Sequence, residues 1–178
     1  MELNEAIAQR RSIRRYQNRK VSRETVEELI RYASMAPSWK NSQTARYHVV
    51  MSEEMLVRVK TEGLAPFNAE NTKDAPVLIV TTFVKNRSGY ERDGSPSNEL
   101  GNLWGSYDLG LHNENLLLKA VDLGLSSLVM GIRDADKLRT LLEIPEDEII
   151  VSVIGLGYGD AHPEMPKRKT VEDITSFY

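Results

Sequence analysis

The chain has no cysteine among its 178 residues. That excludes disulfides, zinc–thiolate sites, iron–sulfur clusters and a thiol nucleophile. Histidine is scarce too. His48, His112 and His162 are the only three, and they lack His-Glu-x-x-His or a similar ligand spacing, so no metal site is expected. No apolar run approaches the roughly 18–20 residues needed to cross a bilayer. The opening Met1-Glu2-Leu3-Asn4-Glu5 is acidic and has neither the basic nor the apolar part of a signal peptide. A cytoplasmic protein without membrane contact is the expectation. No Gly-x-Ser-x-Gly elbow and no phosphate loop ending in Gly-Lys-Ser/Thr occurs. With no evident nucleophile and no evident acid–base pair, an enzyme of this composition would rely on a bound cofactor.

What is present fits one globular domain spanning residues 1–178, with 40% hydrophobic and 28% charged residues. Charge is unevenly placed. Residues 1–20 hold six of the 23 basic residues and two of the 26 acidic ones, a net +4 that leaves −7 for the rest of the chain. The cations crowd into Gln9-Arg10-Arg11-Ser12-Ile13-Arg14-Arg15-Tyr16. Guanidinium groups packed around a small hydroxyl repel one another unless a multivalent anion unites them, and a phosphate carries enough charge for two or three. The plainer reading is a solvated basic face. A nucleic-acid partner ranks last, because the remainder of the chain is negative and the arm holds few aromatics.

Periodicity predicts helices and strands interspersed around a central sheet, an α+β layered fold. Helices are expected over Leu3 to Arg10 with Leu3, Ala6 and Ile7 inward, from an N-cap at Ser22 to about Met35, and from Ser52 until Gly63 and Pro66 end it. Further helices are expected over Leu103 to Leu123, closed by Gly124, over Ala135 to Leu142, and after a capping box of Thr170 and Asp173. Strands are expected at Tyr47–Met51, Pro76–Val84, Ser126–Met130 and Ile149–Leu156, with Pro76–Val84 apolar enough to be covered on both faces. Lys85 to Asn98 reads as a surface loop. Gly155-Leu156-Gly157-Tyr158-Gly159 resembles a fragment of a dinucleotide fingerprint, but Pro163 and Pro166 follow where a helix would have to begin. The glycines instead suit close backbone packing.

Two other segments stand out. Pro37-Ser38-Trp39-Lys40-Asn41-Ser42-Gln43 is a polar loop whose amides can address the edge of a heterocycle, or simply a helix-ending turn. Pro166-Lys167-Arg168-Lys169 is a second basic cluster, able to join the arm on one phosphate or to remain a surface patch.

The arm, the loop and the terminal cluster occur in an order and spacing that resemble the nitroreductase family of FMN-dependent oxidoreductases. The Leu123-Gly124-Leu125 helix end, Val129-Met130-Gly131 and Ile154-Gly155-Leu156-Gly157-Tyr158 extend the likeness over nearly the whole chain. The resemblance implies a layered sandwich with a central, mostly antiparallel sheet flanked by helices, in an intertwined homodimer with FMN at the subunit interface. By position, Arg10, Ser12 and Arg14, with Arg11 alongside, would hold the phosphate and ribityl chain, and Lys167 and Lys169 would close on the phosphate. Pro37, Ser38, Trp39 and Asn41 would come from the other subunit against the flavin ring, with Gln43 close behind. Asn68 would address the pyrimidine edge, and Met130, Gly131 and Ile132 would pass the central ring. The implied reaction carries hydride from NADH or NADPH through FMN to a nitroaromatic, quinone or similar small-molecule acceptor by a ping-pong mechanism, with no protein group required as acid or base. A flavin storage or sensing module is the alternative. The chain departs from the family where Gln43 leads into Thr44-Ala45 rather than Pro-Trp, and residues 85–102 are expected to replace a missing helical roof over the substrate channel.

Overall fold

The apolar run after Pro76 becomes the second of four strands: β1 (Ala45–Val50), β2 (Val77–Val84), β3 (Ser126–Met130) and β4 (Glu148–Gly157). The computed structural model describes residues 1–178 and joins the strands in one sheet of order β1-β2-β4-β3, each neighbouring pair antiparallel. β2 and β4 are interior and buried along nearly their whole length. That double cover is why they read as continuous apolar runs instead of alternating ones.

Side chains still alternate between faces. On one face Val77, Ile79, Ile154 and Leu156 pack under α2 (Arg23–Ala33) and α5 (Leu103–Asp122), meeting Val26, Leu29, Leu116 and Ala120. On the other, Leu78, Val80 and Val153 meet Val59, Leu64 and Leu138, carried by α3 (Glu53–Arg58), the π-helical turn Val59–Gly63 and α6 (Ala135–Leu142). Burying each such side chain contributes roughly 1.5–3 kcal/mol, so these two layers hold the fold. No helix is long and apolar enough to cross a membrane.

Local signals set several element ends as expected. Ser22 Oγ accepts from Thr25 N at 3.2 Å, Ser52 Oγ accepts from Met55 N at 3.4 Å, and Thr170 and Asp173 form a reciprocal capping box on α7 (Val171–Ile174). Each such cap is worth about 1 kcal/mol. Gly124 closes α5 with φ +71°, letting Leu125 N reach back to Ala120 O at 2.7 Å.

Two expectations fail. Pro66 does not end a helix; it opens α4 (Pro66–Asn71) at the first helical position, where its missing N–H is not needed. In α1 (Leu3–Gln9) only Ala6 is buried, while Leu3 and Ile7 are 64% and 52% exposed. Within one chain α1 rests on α5 through too narrow a contact to cover its apolar stripe. Smaller differences concern bounds: α2 stops at Ala33, and β1 begins two residues before Tyr47.

The glycines at the end of β4 serve packing, with the strand running through them and no helix opening after them. A Cβ at Gly157 would sit 2.6 Å from Pro76 Cδ and 3.0 Å from Tyr16 Cδ1. At the opposite end of the sheet, the buried Glu148 carboxylate on β4 accepts from Thr82 Oγ1 on β2 and lies 2.7 Å from His48 Nε2 on β1. His48 is thereby a structural residue.

Candidate functional site

The basic arm is fixed by backbone, not by its arginines. Ile13 N donates to Ser127 O at 2.9 Å, Gln17 N to Tyr158 O at 2.8 Å, and Asp160 N to Arg15 O at 3.0 Å. Ile13 and Tyr16 turn inward against Ala75, and the Tyr16 hydroxyl donates to Ile13 O at 2.9 Å. Burial raises the Tyr16 pKa well above its usual value, so the hydroxyl stays protonated and keeps donating. With those two side chains inward, Ser12, Arg14 and Arg15 are left exposed. Arg14 finds only Ser12 O, at 3.2 Å, and Arg10 reaches Glu114 only at a long 3.9 Å. Arg11 behaves differently: its guanidinium caps α1 by donating to Ala8 O and Arg10 O at 2.7 and 2.8 Å. It lines a cavity of about 420 Å³ with Ser126, Ser127 and His162, which contains neither Arg10 nor Arg14.

β3 links this arm to a second group of predicted residues. Ser127 bonds the arm, and the strand then runs out through Met130 to Gly131 and Ile132, which are exposed. Ile132 lies five positions beyond Ser127, about 16 Å at the rise of a strand. There the buried Asn68, on α4, donates through Nδ2 to Ile132 O at 3.0 Å. A Cβ on Gly131 would meet nothing within 4 Å, so the chain leaves open space beside this stretch. A cleft of about 390 Å³ places Arg14 and Arg15 beside Asn71 at the end of α4. α4 thus meets the arm through its last residues and the end of β3 through Asn68.

The loop 37–43 is built on different principles. It makes a single 3-10 turn (Trp39–Asn41), and Lys40, Asn41 and Gln43 take left-handed φ values of 46°, 54° and 48°. Such backbone costs on the order of 1 kcal/mol for each non-glycine residue, so contacts from elsewhere must hold it. Trp39 N donates to Asp108 Oδ2 on α5 at 3.0 Å, and Gln43 N to Ser38 Oγ at 3.0 Å. Trp39 packs at a tilt of 51° against Trp104 of α5, with ring centroids 4.6 Å apart. Residues 85–102 form a loop without helix or strand, tied in by Lys40 Nζ to Glu91 at 3.1 Å and by the Ser88 hydroxyl donating to Asp108. Within one chain no hydrogen bond or ion pair joins this loop to the arm.

Lys167 and Lys169 lie in a segment, residues 161–178, that is exposed almost throughout. Neither makes a hydrogen bond or an ion pair, and Arg168 donates only to Pro166 O. A larger apolar cavity of about 660 Å³, between α2, β1 and α3, contains none of the predicted residues. Its lining offers little polar chemistry for orienting a reactive ligand. Sequence reasoning missed Asp108, Ser88 and Trp104. Asp108 is the one whose signal was legible, as an acid on the buried stripe of an apolar helix.

The sequence and fold have counterparts among known proteins. The sequence pattern of the nitroreductase family matches residues 7–158. A relative from Methanothermobacter thermautotrophicus, named "Putative NADH dehydrogenase/NAD(P)H nitroreductase", is 32% identical over 167 residues, covering 92% of this chain and 80% of its own length. A nitroreductase family protein of Clostridium difficile 630 superposes with a TM-score of 0.80 at 26% identity, covering 99% of this chain and 98% of its own. A BluB-like flavoprotein of the same organism gives 0.77 at 25%, with 100% and 99% covered. By matched sequence and by its antiparallel sheet between helical layers, the chain belongs to the nitroreductase family of oxidoreductases.

Proposed function

We propose that this chain is an FMN-dependent enzyme that takes hydride from NADH or NADPH and passes it to an electron-poor small molecule such as a nitroaromatic or quinone. It would act as a homodimer, in the cytoplasm, by ping-pong kinetics. One observation carries the reading: cations with no close carboxylate partner at the start of β3 and an amide-bearing, open-sided segment at its end, about 16 Å apart. That spacing and polarity suit an elongated ligand with a dianionic tail and a flat, heteroatom-edged head. The residues therefore fit FMN. Names of relatives support it, one including NAD(P)H and another flavoprotein.

Arg10, Ser12 and Arg14 would hold the phosphate, joined by Lys167 and Lys169, with Arg11 acting indirectly by fixing the end of α1. Asn68 would spend its carbonyl oxygen on the ring edge, since its Nδ2 already anchors Ile132 O. Met130, Gly131 and Ile132 would run beside the ring. Pro37, Ser38, Trp39, Asn41 and Gln43 would wall it from the partner subunit and exclude water. FMN, when bound, supplies the hydride chemistry; the protein need only position and polarise. Stacking donor and acceptor in turn at about 3–3.5 Å is the part left to the walls of the site. The arm's positive field favours negative charge on whatever it holds.

The homodimer rests on unfinished surfaces. Leu3 and Ile7 of α1 are exposed, as are Met165, Val171, Ile174, Phe177 and Tyr178 in the terminal segment. A second copy would cover such a scattered apolar set.

The test is direct. The purified protein is expected to show a flavin spectrum, or to acquire one on adding FMN, and to bleach anaerobically with NADH or NADPH and recover with a quinone. A colourless protein that refuses FMN would overturn the proposal. Bound flavin that neither nicotinamide bleaches would make it a storage module instead.

A further inference from the structure

The predicted ring-side loop 37–43 and the predicted acceptor-side loop 85–102 end on the same atom. Asp108 is 3% exposed and sits in the second turn of α5. Its Oδ2 accepts from Trp39 N at 3.0 Å and from the Ser88 hydroxyl, 69 and 20 residues away in the chain. We infer that Asp108 is a positioning residue that locks the two loops into one unit, so that the segment choosing the acceptor and the segment seating the ring are set together.

Four further contacts close the same unit. Lys40 pairs with Glu91, and Glu91 also accepts from Ser97 Oγ at 2.6 Å. Trp104 Nε1 donates to Asn98 Oδ1 at 2.9 Å while its ring packs on Trp39. Lys40–Glu91 is exposed and contributes little. Asp108 is the buried member, and a buried acceptor serving two donors cannot release one without leaving it unsatisfied or moving the other. The left-handed backbone at Lys40, Asn41 and Gln43 supplies the load this latch restrains. Loosening residues 85–102 should therefore be felt at Trp39. This inference rests on the FMN reading only for its catalytic consequences; the mechanical coupling stands without it.

The chain's only two tryptophans are Trp39 and Trp104, so emission excited selectively at tryptophan, and not at the seven tyrosines, comes from this pair. The test compares the full-length protein with Ser88→Ala and Asp108→Asn, each with and without added FMN. Brief trypsin digestion is followed by mass spectrometry at Lys40, Arg87 and Arg92, with Lys137 and Arg139 of α6 as controls for general unfolding. Expected is a rise of about threefold or more in cleavage at Lys40 together with Arg87 and Arg92, α6 unchanged, and a shifted tryptophan emission even when only Ser88 is altered. FMN affinity should fall about three- to tenfold in Asp108→Asn, the scale of one ordinary hydrogen bond felt indirectly through the loops. The acceptor KM should rise more than kcat falls. Cleavage rising only at Arg87 and Arg92, with Lys40 and the emission unmoved, would overturn the coupling. If no form binds FMN, the functional proposal above fails, yet digestion and fluorescence still decide this one. Should Asp108→Asn melt outright, Ser88→Ala alone decides the matter.

Discussion

The arm at residues 10–17 and the terminal segment at 161–178 each carry a basic cluster proposed to meet one phosphate, yet they are built in opposite ways. The arm is stitched to Ser127, Tyr158 and Asp160 by backbone bonds, pinned by two buried side chains, and presents its cations ready-made. The terminal segment shows a capped turn and exposed apolar side chains, with its lysines unengaged. Half of the proposed anion site is thus preorganised within one chain, and the other half is not. Preorganised cations lose little freedom on binding, whereas a loose lysine must be ordered first.

That asymmetry can be broken at its strongest point. Tyr16→Ala deletes the arm's buried anchor and is expected to cost about 3–5 kcal/mol in urea unfolding, whereas Tyr16→Phe should lose only about 1 kcal/mol. Equal effects would mean that the hydroxyl, not the ring, seats the arm. Truncation after Asp160 should leave a folded sheet by circular dichroism but weaken FMN retention about a hundredfold or more, with the two lysines and the apolar terminus gone. For the intact protein, FMN affinity should also decline as the protein is diluted toward monomer. Arg14→Ala should weaken FMN binding about ten- to hundredfold in titrations of the apoprotein, with stability nearly unchanged because the side chain is exposed.

A pH effect should come from beneath the site. Burial holds the His112 pKa below its ordinary value, with Asp108 opposing. The folded chain then resists a proton that the unfolded chain accepts, so this contribution is complete above about pH 6.5 and is lost as pH falls below it. Thermal melts between pH 7 and 5.5 should show a steeper loss in the parent than in His112→Gln. The smallest effect is expected for Lys40→Ala, within about 0.5 kcal/mol of the parent, since its partner Glu91 is also exposed.

Much of the fold was legible because its signals are local. Ser22, Ser52, Thr170 and Gly124 announce element ends through hydrogen bonds to residues three or four positions away, and β2 announces its double cover by composition alone. Pro66 misleads because a proline can end one helix or begin the next, and Asn68 and Thr72 gave no warning of a short helix. Leu3 and Ile7 obeyed helical spacing, but spacing says only that a face is apolar, not that the same chain covers it. The site was legible as a set of residue types, and the structure joins Asn68 to Ile132 and ranges Arg14 beside α4. The left-handed turn at Gln43 is held locally by Ser38, but the seat of the loop at Trp39 is a carboxylate on α5, across a separation that periodicity does not reach.

The cluster of Glu148, Thr82 and His48 has a consequence for how the strands find one another. A carboxylate shut inside a sheet is tolerated only when its acceptors are filled. Here one partner comes from the adjoining strand and the other from the strand beyond. Sliding either neighbour by a single residue would point its polar group at the opposite layer and strand the acid in hydrocarbon. Misaligned pairings of these three segments are therefore penalised before any helix closes over them, and alignment is checked at the end of β4 away from its glycines.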